Sequence, residues 1–399
     1  MIKVPLTLGV EEEYQIIDPE TRELTPHYEA LEASGSSLLG EQLKPEMLRS
    51  QLEVATEVCR DVTEVRQELV RLRGTVAGLA KESGYKILAA STHPFSRWED
   101  QVVSRGERYQ ELQMNLQTVV RTQLVFGMHV HIGFGKSPEA LELLVDVMNQ
   151  IRYFLPHLLA LSTSSPFWAG MDSGLKSYRS IIMKSLPRTG VPPAFGSFSE
   201  YRAMINLFGK VGSLGKSKDK HSEEVDATRI WWDVRPQVGL GTLEVRVCDI
   251  CTRVDEALCI VALIQSIVSL LVKLREQNCS WREYQSLLIL ENKWRAGRYG
   301  IDGKLVDFGK EEEVPVRFLA NEILELVDPV LDELGTRKDV EYLPTLLRNG
   351  TSADRQLAKW RSAIQEGAEE SEALLYVVDQ LILETTEGVL DQGALSSNA

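Results

Sequence analysis

The strongest constraint on the fold is a two-residue alternation over residues 124–134. Its apolar positions are Leu124, Phe126, Met128, Val130, Ile132 and Phe134, and its polar or small positions are Gly127, His129, His131 and Gly133. Because successive side chains of a β-strand point to opposite faces, this pattern predicts a strand with one apolar and one polar face. A sheet of such strands buries one face and leaves the other accessible.

Three further segments, 6–17, 50–58 and 242–250, repeat this alternation with charged residues on the polar side. Those polar positions include Glu11, Glu13, Gln51, Glu53, Glu244 and Arg246. Helical patterns follow from 61 to 83, from 137 and from 252, and they dominate after 281. This order predicts an α+β protein in which helices pack behind an antiparallel sheet whose concave face is polar.

The chain of 399 residues is long enough for one large α+β domain or for two to three smaller ones. We predict a single domain over residues 1–399. Residues 164–222, rich in Gly, Ser, Pro and Lys, are expected to form a surface excursion that acts as a lid. The polar tail 393–399 is expected to fray.

The charge balance argues against one class of partner. The chain has 44 Lys and Arg against 58 Asp and Glu, a formal net charge of −14. Nucleic-acid binding needs a basic surface that replaces phosphate counterions, so we expect no nucleic-acid partner.

Targeting and membrane signals are not found in the sequence. The N-terminus has no cationic stretch followed by an apolar run, and the longest uncharged segment, 257–272, is shorter than the roughly 20 residues of a membrane span. We read 257–272 as a buried core helix and expect no membrane association. The five cysteines are sparse and odd in number, which predicts reduced thiols and a cytoplasmic location.

The polar faces of the four strands together suggest a site. Glu11, Glu13, Glu53, His129 and Glu244 offer mainly oxygen ligands, which favour Mg²⁺ or Mn²⁺ over zinc. For one strand alone a solvated face explains the pattern equally well. Four strands together, with two glycines beside the histidine pair, favour a metal–phosphate site.

Two other motifs could bind an anion. Residues 209–217 resemble a phosphate loop, but five residues instead of four separate Gly209 from the Gly-Lys-Ser, so we read a flexible loop. Arg295 and Arg298 lie one helical turn apart; they either end an amphipathic helix or share one carboxylate or phosphate.

Several short motifs occur in order over nearly the whole chain. They are Gly9-Val10-Glu11-Glu12-Glu13-Tyr14, Ser50-Gln51-Leu52-Glu53, Gly127-Met128-His129-Val130-His131-Ile132-Gly133, Ser165-Pro166-Phe167-Trp168, Ser177-Tyr178-Arg179-Ser180, the segments 229–236, 242–249 and 291–300, and Asn349-Gly350-Thr351. This set resembles the glutamate–cysteine ligase type 2 family, in its bacterial carboxylate–amine ligase branch. The stretch 209–220 is longer and more basic than that resemblance leads one to expect.

The resemblance implies a glutamine-synthetase-like catalytic fold whose sheet holds ATP, divalent ions and an amino acid. It implies ATP-dependent amide formation through an acyl phosphate, with glutamate and an amine such as cysteine as substrates. The implied metal ligands are Glu11, Glu13, Glu53, His129 and Glu244, and Arg246 would stabilise the transferring phosphoryl group. Arg179, Arg235, Arg295, Arg298 and Gln51 are candidates for binding substrate or phosphate, and His131 would support the ligands.

Two alternatives stay open at the level of sequence. One is a guanidino-substrate phosphotransferase of related fold, which also uses ATP and Mg²⁺ but forms no amide. The other is a non-catalytic protein that uses the acidic sheet for metal-dependent binding. The sequence also leaves open the physiological amine, the number of metal ions and whether the protein is a homo-oligomer.

Overall fold

The centre of the protein is one seven-stranded antiparallel sheet. The computed structural model describes residues 4–215 and 225–389. In chain order the strands are β1 (Leu8–Ile17), β2 (Leu43–Pro45), β3 (Gln51–Ala55), β4 (Lys86–Leu88), β5 (Met128–Gly133), β6 (Phe167–Trp168), β7 (Met171–Asp172), β8 (Thr189–Gly190), β9 (Trp231–Trp232), β10 (Val234–Gln237), β11 (Thr242–Val245), β12 (Lys304–Asp307) and β13 (Glu312–Pro315). The central sheet has the order β10-β11-β5-β1-β3-β2, and β4 also pairs with β1. The remaining strands form three two-stranded pairs.

The helices cover the apolar back of this sheet and form most of the second half of the chain. They are α1 (Tyr28–Leu39), α2 (Val62–Glu82), α3 (Glu107–Leu116), α4 (Thr118–Arg121), α5 (Pro138–Ile151), α6 (Leu155–Ser162), α7 (Arg179–Ile182), α8 (Phe198–Lys210), α9 (Val254–Glu276), α10 (Ser286–Tyr299), α11 (Val316–Leu334), α12 (Arg337–Val340), α13 (Leu343–Asn349), α14 (Ser352–Gln365) and α15 (Glu370–Thr386). The predicted α+β class and the antiparallel sheet are therefore confirmed.

The helices expected from 61 and from 137 begin with side-chain caps, whereas the helix expected from 252 begins at Val254 with Arg253, not Thr252, in the cap position. The Asp61 carboxylate accepts a hydrogen bond of 3.0 Å from the Glu64 backbone N–H at the start of α2. The Ser137 hydroxyl accepts one of 3.2 Å from Ala140 N–H at the start of α5, directly before Pro138. Each cap satisfies a backbone donor that the first helical turn cannot pair internally.

The core lies between the sheet and α9, against which α2, α5, α6, α11 and α12 also pack. Among the described residues α9 is the one helix long and apolar enough to cross a membrane, and 83% of its apolar window is buried within the protein. The prediction of a buried core helix at 257–272 is confirmed. All five cysteines are free, as expected for reduced thiols.

The prediction of a surface excursion over 164–222 is wrong for its first part. Ser164, Ser165 and Ser177 are buried around the carboxylate of Asp249, which accepts hydrogen bonds of 2.7–2.9 Å from them. A buried carboxylate needs such donors, and the hydroxyls of Ser165 and Ser177 and the backbone N–H of Ser164 supply them. Serine-rich sequence of this kind resembles a surface loop. The lid role stays a prediction. Three predicted segments lie wholly or partly outside the described residues: 216–222 of the excursion, 216–220 of the Gly/Lys-rich stretch, and the tail 393–399.

Candidate active site

Strand register places the predicted polar residues side by side on one face of the sheet. Glu13 pairs with Glu53 between β1 and β3, and Glu11 pairs with His129 between β1 and β5. His131 pairs with Glu244 between β5 and β11, and Glu244 pairs with Arg235 of β10. These residues line a cleft of about 500 Å³. The common face inferred from the two-residue alternation is therefore confirmed.

A glycine makes room for the charged groups in the cleft. The Gly127 N–H donates a 2.7 Å hydrogen bond to Glu13 Oε2. A Cβ atom at this position would lie 2.7 Å from Nη2 of Arg179 and 3.1 Å from Nε2 of His129. Any larger residue would therefore displace the arginine or the histidine from the site.

The first group of carboxylates joins β1, β3 and the residue after β2. Glu13, Glu46 and Glu53 each offer an oxygen within 4.8 Å of the others. Burial, and then the charge of Glu53, raise the pKa of Glu13 to about 7. Burial and neighbouring carboxylates likewise raise the pKa values of Glu46 and Glu53. Without a cation, this group therefore holds protons near neutral pH.

The second group of ligands combines carboxylates with imidazoles. Glu11 lies with Glu53 and His129 in one candidate metal cluster and with His131 and Glu244 in another. Burial disfavours the charge of the Glu11 carboxylate, yet the rings of His129 and His131, 3.2 and 3.8 Å from its Oε2, lower its pKa well below the ordinary value. Burial, and then Arg246, lower the pKa of His129 to about 4, so its ring is neutral and able to bind a metal.

An ammonium group lies between the two groups of carboxylates. Nζ of Lys44 is 3.0 Å from Glu53 Oε1 and 3.3 Å from Glu11 Oε1. Burial opposes the charge of Lys44, but the two carboxylates outweigh it and raise the lysine pKa. The structure thus places a positive charge where the carboxylates converge.

Arg235 and Arg246 line the cleft and Arg179 lines a chamber beside it, and the three differ in how many of their donors are used. Arg235 makes a bidentate pair with Glu244, at 2.7 and 3.1 Å, and donates to two carbonyl groups, so it orients Glu244. Arg246 contacts Glu244 and lies 3.3 Å from Nδ1 of His129, and its buried Nε has no hydrogen-bond partner among the described residues. Arg179 donates to the carbonyl groups of Val247 and Arg246, and its Nε is likewise unpartnered there.

A smaller chamber of about 140 Å³ adjoins the cleft and shares Glu13, His129 and Arg246 with it. We call it the inner chamber. Its own lining combines Gln51, Gln123 and Arg179 with apolar side chains: Met47, Leu112, Val120, Val125, Met183 and Leu186. The Gln51 amide donates to Glu13 Oε2 at 3.1 Å and to the Val125 carbonyl at 3.2 Å. The chamber thus places the guanidinium of Arg179 beside a small, largely apolar pocket.

The sequence model of the glutamate–cysteine ligase family 2 matches residues 7–375 of the chain. The chain belongs to this family. A protein of Herpetosiphon aurantiacus is 49% identical over 389 residues, covering 97% of this chain and 95% of the relative. One of Chloroflexus aggregans is 49% identical over 383 residues, covering 96% and 93%. Both relatives carry the provisional name glutamate–cysteine ligase 2.

Solved structures of low sequence identity share the fold. The glutamate–cysteine ligase of Francisella tularensis, solved with AMP, is 14% identical with a TM-score of 0.64, and the match covers all of this chain and 95% of that one. A bifunctional glutathione synthetase from Pasteurella multocida is 15% identical with a TM-score of 0.65. The match covers 96% of this chain and 53% of that one, so this chain spans about half of the bifunctional protein. These likenesses confirm the expected fold class.

Two family-motif residues that the sequence offered as an anion clamp lie outside the cleft and the inner chamber. Arg295 makes ion pairs with Glu291, at 2.7 Å, and with Glu313, at 2.5 Å. Arg298 donates to the carbonyl of Gly174. Local partners take their donors in this structure, and their binding of a substrate anion stays a prediction. From the same helix, Lys293 instead makes a buried ion pair with Asp233 at 2.6 Å.

Several residues that line the cleft carry no recognisable pattern in the sequence. Lys44 and Glu46 belong to or follow β2, which has three residues and is too short to show an alternation. Arg108 and Tyr109 come from α3, and Trp231 from β9; all three line both the cleft and the inner chamber. The local sequence carried no signal for these last three, because they reach the site only through tertiary packing.

The donor set of the cleft fits a hard divalent cation. Carboxylate oxygens predominate, and the two imidazoles are acceptable secondary ligands for Mn²⁺. The buried Nε2 of His131 has no hydrogen-bond partner among the described residues, while its Nδ1 lies 3.0 Å from the Thr242 hydroxyl. A ring nitrogen held by one hydrogen bond and unpartnered at the other is typical of a metal ligand. His131 therefore fits the ligand set directly rather than as a support.

Proposed function

We propose that the protein is an ATP-dependent carboxylate–amine ligase of the glutamate–cysteine type, acting in the cytoplasm. It would join L-glutamate to an amine such as L-cysteine and release ADP and phosphate. The observation that carries this proposal is the single cleft in which strand register brings Glu11, Glu13, Glu53, His129 and Glu244 together. Membership of the family and the AMP complex of the Francisella tularensis protein support it.

The reaction requires activation of a carboxylate. Oxide is a poor leaving group, so an oxygen of the glutamate side-chain carboxylate attacks the γ-phosphorus of ATP, ADP leaves, and an acyl phosphate forms. The amine nitrogen then attacks the acyl carbon, phosphate leaves with the C–O bond electrons, and the nitrogen loses a proton. The first step needs alignment and neutralisation of charge more than covalent help from the protein.

The residues of the cleft divide these tasks. Glu11, Glu13, Glu53, His129 and Glu244 would hold Mg²⁺ or Mn²⁺, and Glu46 and His131 extend this set. The ion supplies neutralisation of phosphate charge and alignment of the phosphate oxygens. Arg246, positioned by Glu244 and by His129, directs a guanidinium into the cleft and stabilises the equatorial charge of the transferring group.

The inner chamber is the proposed site of the amino-acid substrate. Arg179 offers a cation to a carboxylate, and the apolar lining fits a short hydrocarbon chain. The buried Asp249 carboxylate accepts hydrogen bonds from Ser164, Ser165 and Ser177. These bonds fix the loop that leads into α7, whose first residue is Arg179. The Ser165 hydroxyl also accepts a 3.2 Å hydrogen bond from the Arg179 backbone N–H.

Product analysis tests this proposal. The purified protein is incubated with Mg-ATP, L-glutamate and each candidate amine, and ADP, free phosphate and the amide are quantified together, the amide by mass. We expect ADP, phosphate and amide in equal amounts, and hydroxylamine should trap the acyl phosphate as a hydroxamate. ADP with a phosphorylated nitrogen and no free phosphate would indicate a guanidino phosphotransferase instead. No ATP turnover with any pair would contradict an enzymatic role.

A further inference from the structure

A second cavity, of about 600 Å³, shares no residue with the cleft or the inner chamber. It lies between the start of α6, residues 280–284 before α10, the end of β12 and one face of α11. Neither the ligase reaction nor the family motifs account for it. A cavity of this size is typical of a small-molecule site.

Aromatic rings form one wall of this cavity. The ring centroid of Tyr153 lies 5.6 Å from that of Trp281 and 5.5 Å from that of Tyr284. Phe154 lies 5.0 Å from Trp281, behind this pair. Aliphatic side chains of α11, namely Leu319, Ile323 and Leu326, form the facing wall. The interior therefore favours an apolar body and the electron-rich faces of aromatic rings favour a cation.

The charged groups around the cavity are mainly acidic. Asp307, Glu322 and Glu325 line it, and Arg282 is the one cation among the described lining residues. The guanidinium of Arg282 lies 5.3 Å from the centre of the Tyr284 ring, which shows that this aromatic wall already attracts a cation. Outside the lining, Nζ of Lys310 lies 3.3 Å from Asp307 and 3.5 Å from Glu322. Glu325 makes no ion pair among the described residues.

One buried polar group also lines the cavity. His157 is 3% exposed, and its Nδ1 has no hydrogen-bond partner among the described residues. Burial lowers the pKa of this imidazole to about 4, so the ring is neutral at physiological pH and does not repel a cation.

We propose that this cavity binds an organic cation, an ammonium group carrying apolar substituents. The aromatic wall takes the charged head, the α11 side chains take the hydrocarbon part, and the carboxylates at the rim supply the opposite charge. An anion would meet three carboxylates against two cations, Arg282 in the lining and Lys310 outside it, and a neutral molecule of the same shape would gain from the apolar walls alone.

Benzyltrimethylammonium chloride is a suitable probe, because a quaternary nitrogen has no lone pair and cannot serve as the amine in a ligase reaction. Binding is measured by isothermal titration calorimetry with the full chain, without ATP or glutamate, so the result is independent of the proposed ligase function. Benzyl alcohol is the neutral control, and sodium chloride at equal ionic strength controls for salt. We expect saturable binding of the ammonium probe and at least about tenfold weaker binding of the alcohol.

Variants locate the site. Trp281→Ala should weaken binding of the probe about tenfold, whereas Trp294→Ala, an exposed tryptophan of α10 outside the cavity, should leave it unchanged. If Trp281→Ala does not fold, the exposed Glu325→Gln variant tests the site instead, and it should weaken binding of the probe about threefold. Glu82→Gln, a change at an exposed residue outside the cavity, should leave binding unchanged. No saturable binding, equal binding of the alcohol, or equal binding by the cavity variants and their controls would overturn the proposal.

Discussion

Glu12 and Glu13 are neighbours on β1 and face opposite sides of the sheet, and their surroundings differ. Glu12 points to the apolar back, where it is fully buried and receives two hydrogen bonds, of 2.8 and 2.5 Å, from the equally buried Arg73. Arg73 also donates to the carbonyl groups of Thr252 and Cys251. Glu13 points to the cleft, where its nearest charged neighbours include two more carboxylates.

The difference separates a carboxylate that stabilises the fold from one that is available for binding. Glu12 has its charge balanced by a dedicated partner, as buried charges require. Glu13 has a pKa raised to about 7 because burial and Glu53 disfavour its charge. Lys44 balances part of the charge at Glu11 and Glu53, and the proposed divalent cation would balance the rest.

The largest effect is expected from breaking the balanced pair. Arg73→Met leaves the Glu12 carboxylate buried and unpaired, which should lower the free energy of unfolding by about 3–5 kcal/mol. Chemical denaturation in the absence of metal measures it. The matched change on the other face, Glu13→Gln, removes a repelling charge and should leave the apo protein as stable or slightly more stable. Equal destabilisation by both variants would contradict the claim that Glu12 and Glu13 contribute differently to stability.

A large kinetic effect is expected at Arg246. Arg246→Lys keeps the charge but loses the planar group that contacts Glu244 and approaches His129, so kcat should fall by about 10²–10³ with little change in ATP affinity. Arg337→Lys, at the start of α12 with its own ion pairs to Asp328 and Asp332, should leave kcat unchanged. Steady-state kinetics with separately measured ATP binding distinguishes these outcomes. A collapse of ATP affinity with normal turnover of the bound complex would make Arg246 a ground-state anchor.

A smaller effect is expected at Lys44, whose ammonium lies between Glu11 and Glu53. If a divalent ion takes this position, Lys44→Met removes a competitor and should tighten Mn²⁺ binding about fivefold, since partly exposed ion pairs contribute at most about 1 kcal/mol. Calorimetric titration with Mn²⁺ measures the change. Lys273→Met, which removes an ion pair with Glu333 at the surface, is the control. Weaker Mn²⁺ binding by Lys44→Met would show that the lysine assists the metal instead.

The smallest effect is a dependence of stability on pH. Glu13 has a folded-state pKa of about 7 against an ordinary value of 4.5, so its protonated form stabilises the fold, and this contribution is lost as pH rises through 7. The raised pKa values of Glu46 and Glu53 act in the same direction. The melting temperature of the metal-free protein should therefore fall between pH 6.5 and 8.

Near pH 6.5 the lowered pKa values of His93, His129 and His157 act in the opposite direction, because these rings still bind protons in the unfolded chain, and this contribution fades as pH rises further above the ordinary value of 6.5. The raised pKa of His131 adds to the fall. The Glu13→Gln variant tests whether Glu13 causes this pH dependence, because it should reduce the fall in melting temperature with rising pH. A wild-type melting temperature that rises over this range, or a slope unaltered by the variant, would contradict the shifted carboxylates.

The sequence was sufficient where a residue's role follows from local periodicity. Alternation in β1, β3, β5 and β11 placed Glu11, Glu53, His129 and Glu244 on one face before any register was known. The same alternation puts Glu12 on the apolar face, but it does not identify Arg73, 61 residues further along, as its partner. Periodicity describes a face of an element and carries no information on what another element brings to it.

The same limit explains what could not be predicted. Arg295 and Arg298 are correctly placed one turn apart, but Glu313 and the Gly174 carbonyl, which take their donors, come from distant segments. Residues 164–180 resemble a surface loop because serines that bind a buried carboxylate are the same residues that favour loops. Lys44 and Glu46 escaped notice because β2 is too short to show a period.

The most direct test of the account is whether the carboxylates of the cleft bind a cation that stabilises the fold. Melting temperatures are compared at matched ionic strength for EDTA-treated protein, with saturating Mn²⁺, and with Mg-ATP, for the wild type, Glu53→Gln and the exposed control Glu291→Gln. A ligand at about 100 times its Kd adds about 2.7 kcal/mol, a shift of a few degrees. We predict that Mn²⁺ raises the wild-type and control melting temperatures, that Mg-ATP raises them further, and that Glu53→Gln loses most of the metal effect. A wild-type melt indifferent to both ligands would show that these strands do not form a metal–nucleotide site.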